Sequence, residues 1–336
     1  MIAASAKLQS ESHSLVTFPF RGHVRPMAQA KRVNGSWAAS DGSTFTFQRW
    51  EPPRPPRCRV LCIHGLGGEA SDFDLPARKF AEKCDALAFA TNLRGQGLDP
   101  VETRRGAFMD PEVLRDDLEH FTNLQGQTDL PLYIIGESMG GMLATRFSAP
   151  GILDPEPAGL MLLVPVVALR YETPFFKKLT LNLVAPLAPN HRIKLGDVAL
   201  DQENPIPLGI DEAGRDYIQR GPQCLRTFSL RFLQRLEQLM LSADKAASRL
   251  RLPTLHIHAG QDCFISPEQS HAFFQRIGSG DKTERFFPEA HHLILRDYDT
   301  DAVVHALTHW LSRQLEKRVP SSEALEKRAP HELCPS

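Results

Sequence analysis

Residues 130–147 read LPLYIIGESMGGMLATRF. An apolar run breaks at Gly136-Glu137-Ser138-Met139-Gly140, and an amphipathic helical pattern begins at once. The stretch therefore predicts a strand, a sharp turn that carries a serine, and a helix. A serine hydroxyl is a poor nucleophile at neutral pH, so it must sit where a base can take its proton and where developing charge is stabilised. Glycines two residues to either side suit a turn too crowded for side chains, and the following helix aims its first amides at the position an oxyanion would occupy. G-x-S-x-G alone is a weak signal; its strand-to-helix setting gives it weight.

A nucleophile of this kind needs an acid and a histidine later in the chain, each on a loop that follows a strand. LPTLHIHAGQD, Leu252 to Asp262, reads as a buried strand ending in a glycine-containing turn with Asp262 just beyond it. TERFFPEAHHLILRD, Thr283 to Asp297, reads as a short apolar strand, a proline turn, and the pair His291-His292 before an apolar helical start. The roles that follow are Ser138 as nucleophile, one histidine of the pair as general base and then general acid, and Asp262 as the group that orients the imidazole.

Upstream, CRVLCIHGLGG, Cys58 to Gly68, runs from an apolar strand into a glycine-rich turn where backbone amides can approach a ligand closely. The oxyanion donors would be the N–H groups of Leu66 and Met139.

With these motifs the chain resembles the α/β-hydrolase superfamily, and within it the monoacylglycerol lipase and lysophospholipase branch of serine hydrolases. The resemblance runs from about Trp37 to Leu315 and includes DGSTFTFQRWEP, the HGLGG turn, NLRGQG, GESMGG, GQDCFISPE and EAHHLILRD. In that family the base histidine is commonly followed five residues later by an acid, which favours His292, with Asp297, over His291. One departure stands out. Where the family usually has Asp and His in a D-x-R-G-H-G loop, this chain has Asn92 and Gln96, which predicts altered packing or pocket polarity with the basic chemistry kept.

Composition fits such a reading. The 336 residues suffice for one large α/β domain, and a net charge of −1 gives no reason to invoke nucleic acid. Neither a phosphate-cradling P-loop nor a G-x-G-x-x-G fingerprint is present, and neither a cofactor nor a metal is implied. The first residues lack the basic start and apolar stretch of a signal peptide. The longest apolar run, GLMLLVPVVAL from Gly159 to Leu169, is far short of the roughly 20 residues a membrane span needs. Cysteines 58, 62, 84, 224, 263 and 334 form no framework pattern, so they read as free thiols in a cytoplasmic setting, with Cys263 beside Asp262 read as a small buried residue ahead of a redox group.

The predicted organisation is a lead-in over 1–32, an α/β-hydrolase core over 33–169 and 250–318, a helical cap over 170–249, and a disordered tail over 319–336. The core alternates strands with helices near Phe73 to Cys84 and Pro111 to Leu124, which implies a mostly parallel central sheet with helices on both faces. EPPRPPR, Glu51 to Arg57, is a stiff loop between two strands. Between Leu169 and Pro253 no clear strand is visible. There TPFFKKLTLNLVAPLAP is apolar on much of its surface, and CLRTFSLRFLQRLEQLM puts Phe228, Phe232, Leu236 and Leu239 on one helical face.

Ordinary packing of cap on core accounts for these faces, and an acyl site lined by Phe175, Phe176, Phe228 and Phe232, or a peripheral lipid contact, is the sharper alternative. The resemblance implies hydrolysis of a carboxylic ester, monoacylglycerol- or lysophospholipid-like or another medium-to-long acyl ester. An acyltransferase or aminopeptidase on the same scaffold, or a ligand-binding receptor that keeps the fold, remains open.

Overall fold

The computed structural model describes residues 29–170, 183–194, 225 and 227–318. In it the apolar runs become neighbours in one sheet. Its strands are β1 (Lys31–Ala38), β2 (Thr44–Glu51), β3 (Cys58–Ile63), β4 (Ala86–Thr91), β5 (Leu132–Glu137), β6 (Gly159–Leu163), β9 (Thr254–Gln261) and β10 (Lys282–His291), in the order β1-β2-β4-β3-β5-β6-β9-β10. The pairs β1–β2 and β2–β4 are antiparallel, and every pair from β4 to β10 is parallel. Two short strands, β7 (Arg192–Lys194) and β8 (Thr227–Ser229), pair apart from the sheet.

The central strands read as continuous apolar runs because both their faces are covered. Leu61 and Ile63 of β3, Leu132 and Ile134 of β5, and Leu160 and Leu162 of β6 enter one core with helices α2 (Pro111–Leu124), α3 (Met139–Phe147), α4 (Leu230–Ala247) and α5 (Pro267–Arg276). Their alternate residues, Val60, Cys62, Tyr133, Ile135, Met161 and Leu163, enter the other with α1 (Asp74–Cys84) and α6 (Thr300–Arg318). Each large side chain so buried contributes about 1.5–3 kcal/mol. Helix α2 starts where the sequence predicts because Pro111 pre-sets its first turn and Asp110 Oδ1 accepts from the amides of Glu112 and Val113 at 3.0 and 3.5 Å.

Two local expectations are revised. The stretch after Leu169 does contain strands, but β7 and β8 have three residues each, too few for an alternating pattern to register. The proline turn expected at Pro288 instead lies within β10, whose pairing with β9 shifts register between Phe287 and His291. Strand β10 is the sheet edge and Pro288 falls in the gap of its pairing with β9, where a residue without an N–H is tolerated.

Strand β9 also buries two histidines on one face. His256 Nε2 lies 3.3 Å from Ser270 Oγ, and His258 Nε2 lies 3.3 Å from Glu284 of β10. Burial lowers the pKa of both rings, that of His256 to about 3.

Helix α3 leaves the end of β5 by lying almost against β3. A Cβ on Gly140 would stand 2.0 Å from the Ile63 carbonyl oxygen, and one on Gly136 would stand 2.3 Å from the Gly140 carbonyl. Both obstacles are backbone, so neither can swing aside. Gly140→Ala is expected to lower the melting temperature sharply or prevent soluble expression, whereas Gly280→Ala, with nothing within 4 Å, should melt within a degree or two of the parent. Equal melting of the two variants would contradict the close approach.

Candidate active site

Ser138 sits at the turn between β5 and α3 with φ 55° and ψ −116°, a conformation that L-residues rarely adopt. Its amide donates to the Leu163 carbonyl at 2.9 Å, which pins the turn to β6. The strain lifts the hydroxyl out at the carboxyl end of the sheet. There it meets His292, whose Nε2 is 2.9 Å from Ser138 Oγ. His292 Nδ1 is 2.7 Å from Asp262 Oδ2, and Asp262 Oδ1 accepts from the amides of Phe264 and Ile265 at 2.7 and 3.1 Å. The three residues from separate parts of the sequence thus form one hydrogen-bonded chain. Phe264 sets its ring edge-on against the imidazole, with centroids 4.7 Å apart.

The neighbouring histidine faces elsewhere. Asp297 accepts from the His291 backbone amide and lies 3.2 Å from His291 Nδ1, so Asp297 braces the turn that presents His292. The acid five residues after His292 thus bonds to His291.

Opposite the hydroxyl stands the glycine-rich turn after β3. Gly68 N–H donates to Gly65 O at 3.1 Å and Gly67 has φ +72°, a tight turn with Leu66 at its second position. A Cβ on Gly65 would be 3.2 Å from Ser138 Cβ, so the turn lies directly against the serine. Met139 is the first residue of α3, and its N–H has no acceptor within the helix. His64 is fully buried and neutral: burial lowers its pKa, Nε2 accepts from Leu93 N–H at 3.1 Å, and Nδ1 is left to donate to Gly65 O at 2.9 Å.

Of the residues expected to line an acyl site, Phe228 and Phe232 are 2% and 0% exposed and pack on each other with centroids 5.0 Å apart, inside the core shared with α3. Phe228 belongs to β8, and only Phe232 lies in α4. Phe175 and Phe176 lie outside the described residues, as do Cys224 and Cys334; Cys58, Cys62, Cys84 and Cys263 are free and buried.

The sequence pattern of the family described as serine aminopeptidase, S33 (Hydrolase_4) matches residues 54–299, most of the chain and the whole span from the glycine-rich turn after β3 to the histidine loop. The chain belongs to this family. Among relatives, this S33-family hydrolase is 24% identical over 282 residues to the monoglyceride lipase of Homo sapiens, covering 82% of this chain and 89% of that one. It is 26% identical to an uncharacterized abhydrolase domain-containing protein of Dictyostelium discoideum, of which it spans only 28%. A crystal structure of a soluble variant of monoglyceride lipase from Saccharomyces cerevisiae, in complex with a substrate analog, superposes with a TM-score of 0.71 at 22% identity, covering 88% of this chain and 98% of that one. At that identity the likeness establishes the α/β-hydrolase fold.

The hydrolase also buries a carboxyl that no sequence motif marks. Glu137, beside the serine, has its pKa raised to about 7, chiefly by burial and then by Asp72, against the opposing pull of His292 and Arg296. For His292, burial works against the imidazolium, but the Asp262 carboxylate and its hydrogen bond, together with Glu137, outweigh it and raise the pKa. NMR titration should therefore find the His292 imidazole ionising above the ordinary value of about 6.5. Glu137→Gln removes one of the carboxylates that favour the charged ring, so the midpoint should move to lower pH; no movement, or movement upward, would refute the coupling.

Proposed function

We propose that the protein is a serine hydrolase that cleaves carboxylic esters through an acyl-enzyme. The observation that carries this reading is the continuous chain from Ser138 Oγ through His292 to Asp262. His292 Nε2 takes the proton as Ser138 Oγ attacks the ester carbonyl, and Asp262 holds Nδ1–H and stabilises the imidazolium. The oxyanion accepts from the N–H groups of Leu66 and Met139. Collapse of the tetrahedral intermediate passes the proton from His292 to the leaving alcohol. Water, activated by the same ring, then frees the acid and restores Ser138.

The substrate we propose is a monoacylglycerol- or lysophospholipid-like ester with a medium or long acyl chain. Support comes from the monoglyceride lipases among the relatives and from the cap. There Leu183 and Leu187 are 62% and 85% exposed beside the exposed Val184, apolar surface suited to peripheral contact with lipid. No helix among the described residues is long and apolar enough to cross a membrane. Phe228 and Phe232, packed on each other in the core shared with α3, are proposed as the backing of an acyl site, and Phe175 and Phe176 lie outside the described residues. The family's description favours a second reading, an aminopeptidase using the same three residues, so amino-acid amides belong in the assay.

A fluorophosphonate should label Ser138 and no other serine, as read by peptide mass spectrometry. His292→Ala should lower kcat by about 10⁴-fold or more, while His291→Ala should keep most of the rate. Labelling elsewhere, or the reverse order of the two histidine variants, would overturn the assignment.

Across acyl esters of one alcohol, kcat/KM should rise roughly fourfold per CH₂, about 0.8 kcal/mol each, until the pocket is filled. Equal rates on acetyl and decanoyl esters would replace the lipase-like reading with a small-ester carboxylesterase. Faster turnover of amino-acid amides would favour the aminopeptidase.

A further inference from the structure

The loop Asn92 to Gln96 makes a bracket for the oxyanion turn. Asn92 Oδ1 accepts from Ala70 N–H at 2.8 Å, Leu93 N–H donates to His64 Nε2 at 3.1 Å, and Gln96 Oε1 accepts from Gly67 N–H at 2.9 Å. Gln96 is only 1% exposed, and its Nε2 points at Met139 Sδ, 3.9 Å away. One planar amide therefore spans both segments that carry the oxyanion donors, touching Gly67 next to Leu66 on one side and Met139 on the other. The orientation of the amide follows from chemistry, since Gly67 N–H can only donate and so must face the oxygen.

We infer that Gln96 is a positioning residue that fixes the oxyanion turn relative to the serine elbow, an inference that rests on the serine-hydrolase reading. The turn needs such a tie. Glycine at its third position frees the Leu66–Gly67 peptide to rotate between the two common turn forms, and a bond to Gly67 N–H selects one of them. Donors aimed in advance at the developing charge need no reorganisation during reaction, which is the source of their effect. Gln96 is itself held in place. Its backbone N–H donates to Leu93 O at 3.2 Å, its backbone carbonyl accepts from Asp99 N–H at 3.0 Å, and the preceding Gly95 N–H donates to Asp99 Oδ2 at 2.6 Å.

The side-chain chemistry is also selective. A carboxamide offers an acceptor at one end and a donor at the other, and it does not ionise. Glutamate would keep the acceptor for Gly67 but set a negative charge beside the forming oxyanion. Histidine would keep the acceptor only while its ring is neutral.

The test compares Gln96→Ala, Gln96→Met, Gln96→Glu and Gln96→His with the parent. The measurements are kcat and KM on a short p-nitrophenyl ester, the second-order rate of fluorophosphonate labelling at Ser138, and the melting temperature. Gln96→Ala and Gln96→Met should lose about 10- to 100-fold in kcat with KM within about twofold, and labelling should slow in parallel, less than the loss on deleting a donor outright. Gln96→Glu should be slower still. Gln96→His should recover most of the rate near pH 8 and lose it on acidification with one more proton than the parent requires.

That recovery separates positioning from a loss of folding, because a merely destabilised loop gives no new titration. Labelling of Gln96→Ala at the parental rate, a loss expressed only in KM, or a Gln96→His acid limb identical to the parent's would each overturn the inference. Failure of the parent itself to label would instead count against the hydrolase reading.

Discussion

The contact on which the site depends is the seating of α3 against the end of β3. Gly140 lies where any side chain would run into the Ile63 and His64 carbonyls, so the helix can come close enough to carry Ser138 to the edge of the sheet. The serine's unusual backbone angles cost on the order of 1–3 kcal/mol, and they persist because the surrounding structure leaves no alternative. Ser138 is tied by its amide to β6, α3 buries eight of its nine residues, and the turn after β3 closes over the serine from the other side.

Around that contact the parallel strands distribute the remaining groups. Each of β3, β5, β9 and β10 ends in a loop on the same edge of the sheet, and each loop contributes one element: the Leu66 turn, Ser138, Asp262 and His292. Side chains distant in sequence meet because neighbouring parallel strands finish side by side. The supporting bonds follow the same logic. Asp262 is held by the amides of Phe264 and Ile265, the His292 turn is braced by Asp297, and the Leu66 turn is held by Asn92, His64 and Gln96.

What could be read from the sequence was whatever a short stretch determines by itself. The strand, elbow and helix at Ser138 have a local signature, and so does α2, opened by Asp110 and Pro111. The pairing of Ser138, His292 and Asp262 was accessible through motif order, although the structure gives Asp297 to His291. Gln96 was visible only as a departure from the usual pattern, because its partners lie 29 and 43 residues away and nothing local encodes that meeting. Glu137 was hidden for a related reason. A carboxyl in an elbow looks solvated until the fold places Asp72 and Arg296 around it. Strands β7 and β8 gave no pattern because three residues cannot display a period of two.

The two imidazoles buried along β9 bear on how the molecule meets acid. In an unfolded chain His256 and His258 would take up protons below about pH 6.5, while in the native sheet burial lowers the pKa of both rings, that of His256 to about 3. As pH falls through 6.5 the unfolded chain therefore binds protons at these two positions that the folded one refuses, and their contribution to native stability declines. The strand affected ends at Asp262, and its partner β10 ends at the histidine loop. Proton uptake by these two rings on acidification therefore tells against the very strands that set Asp262 and His292 side by side.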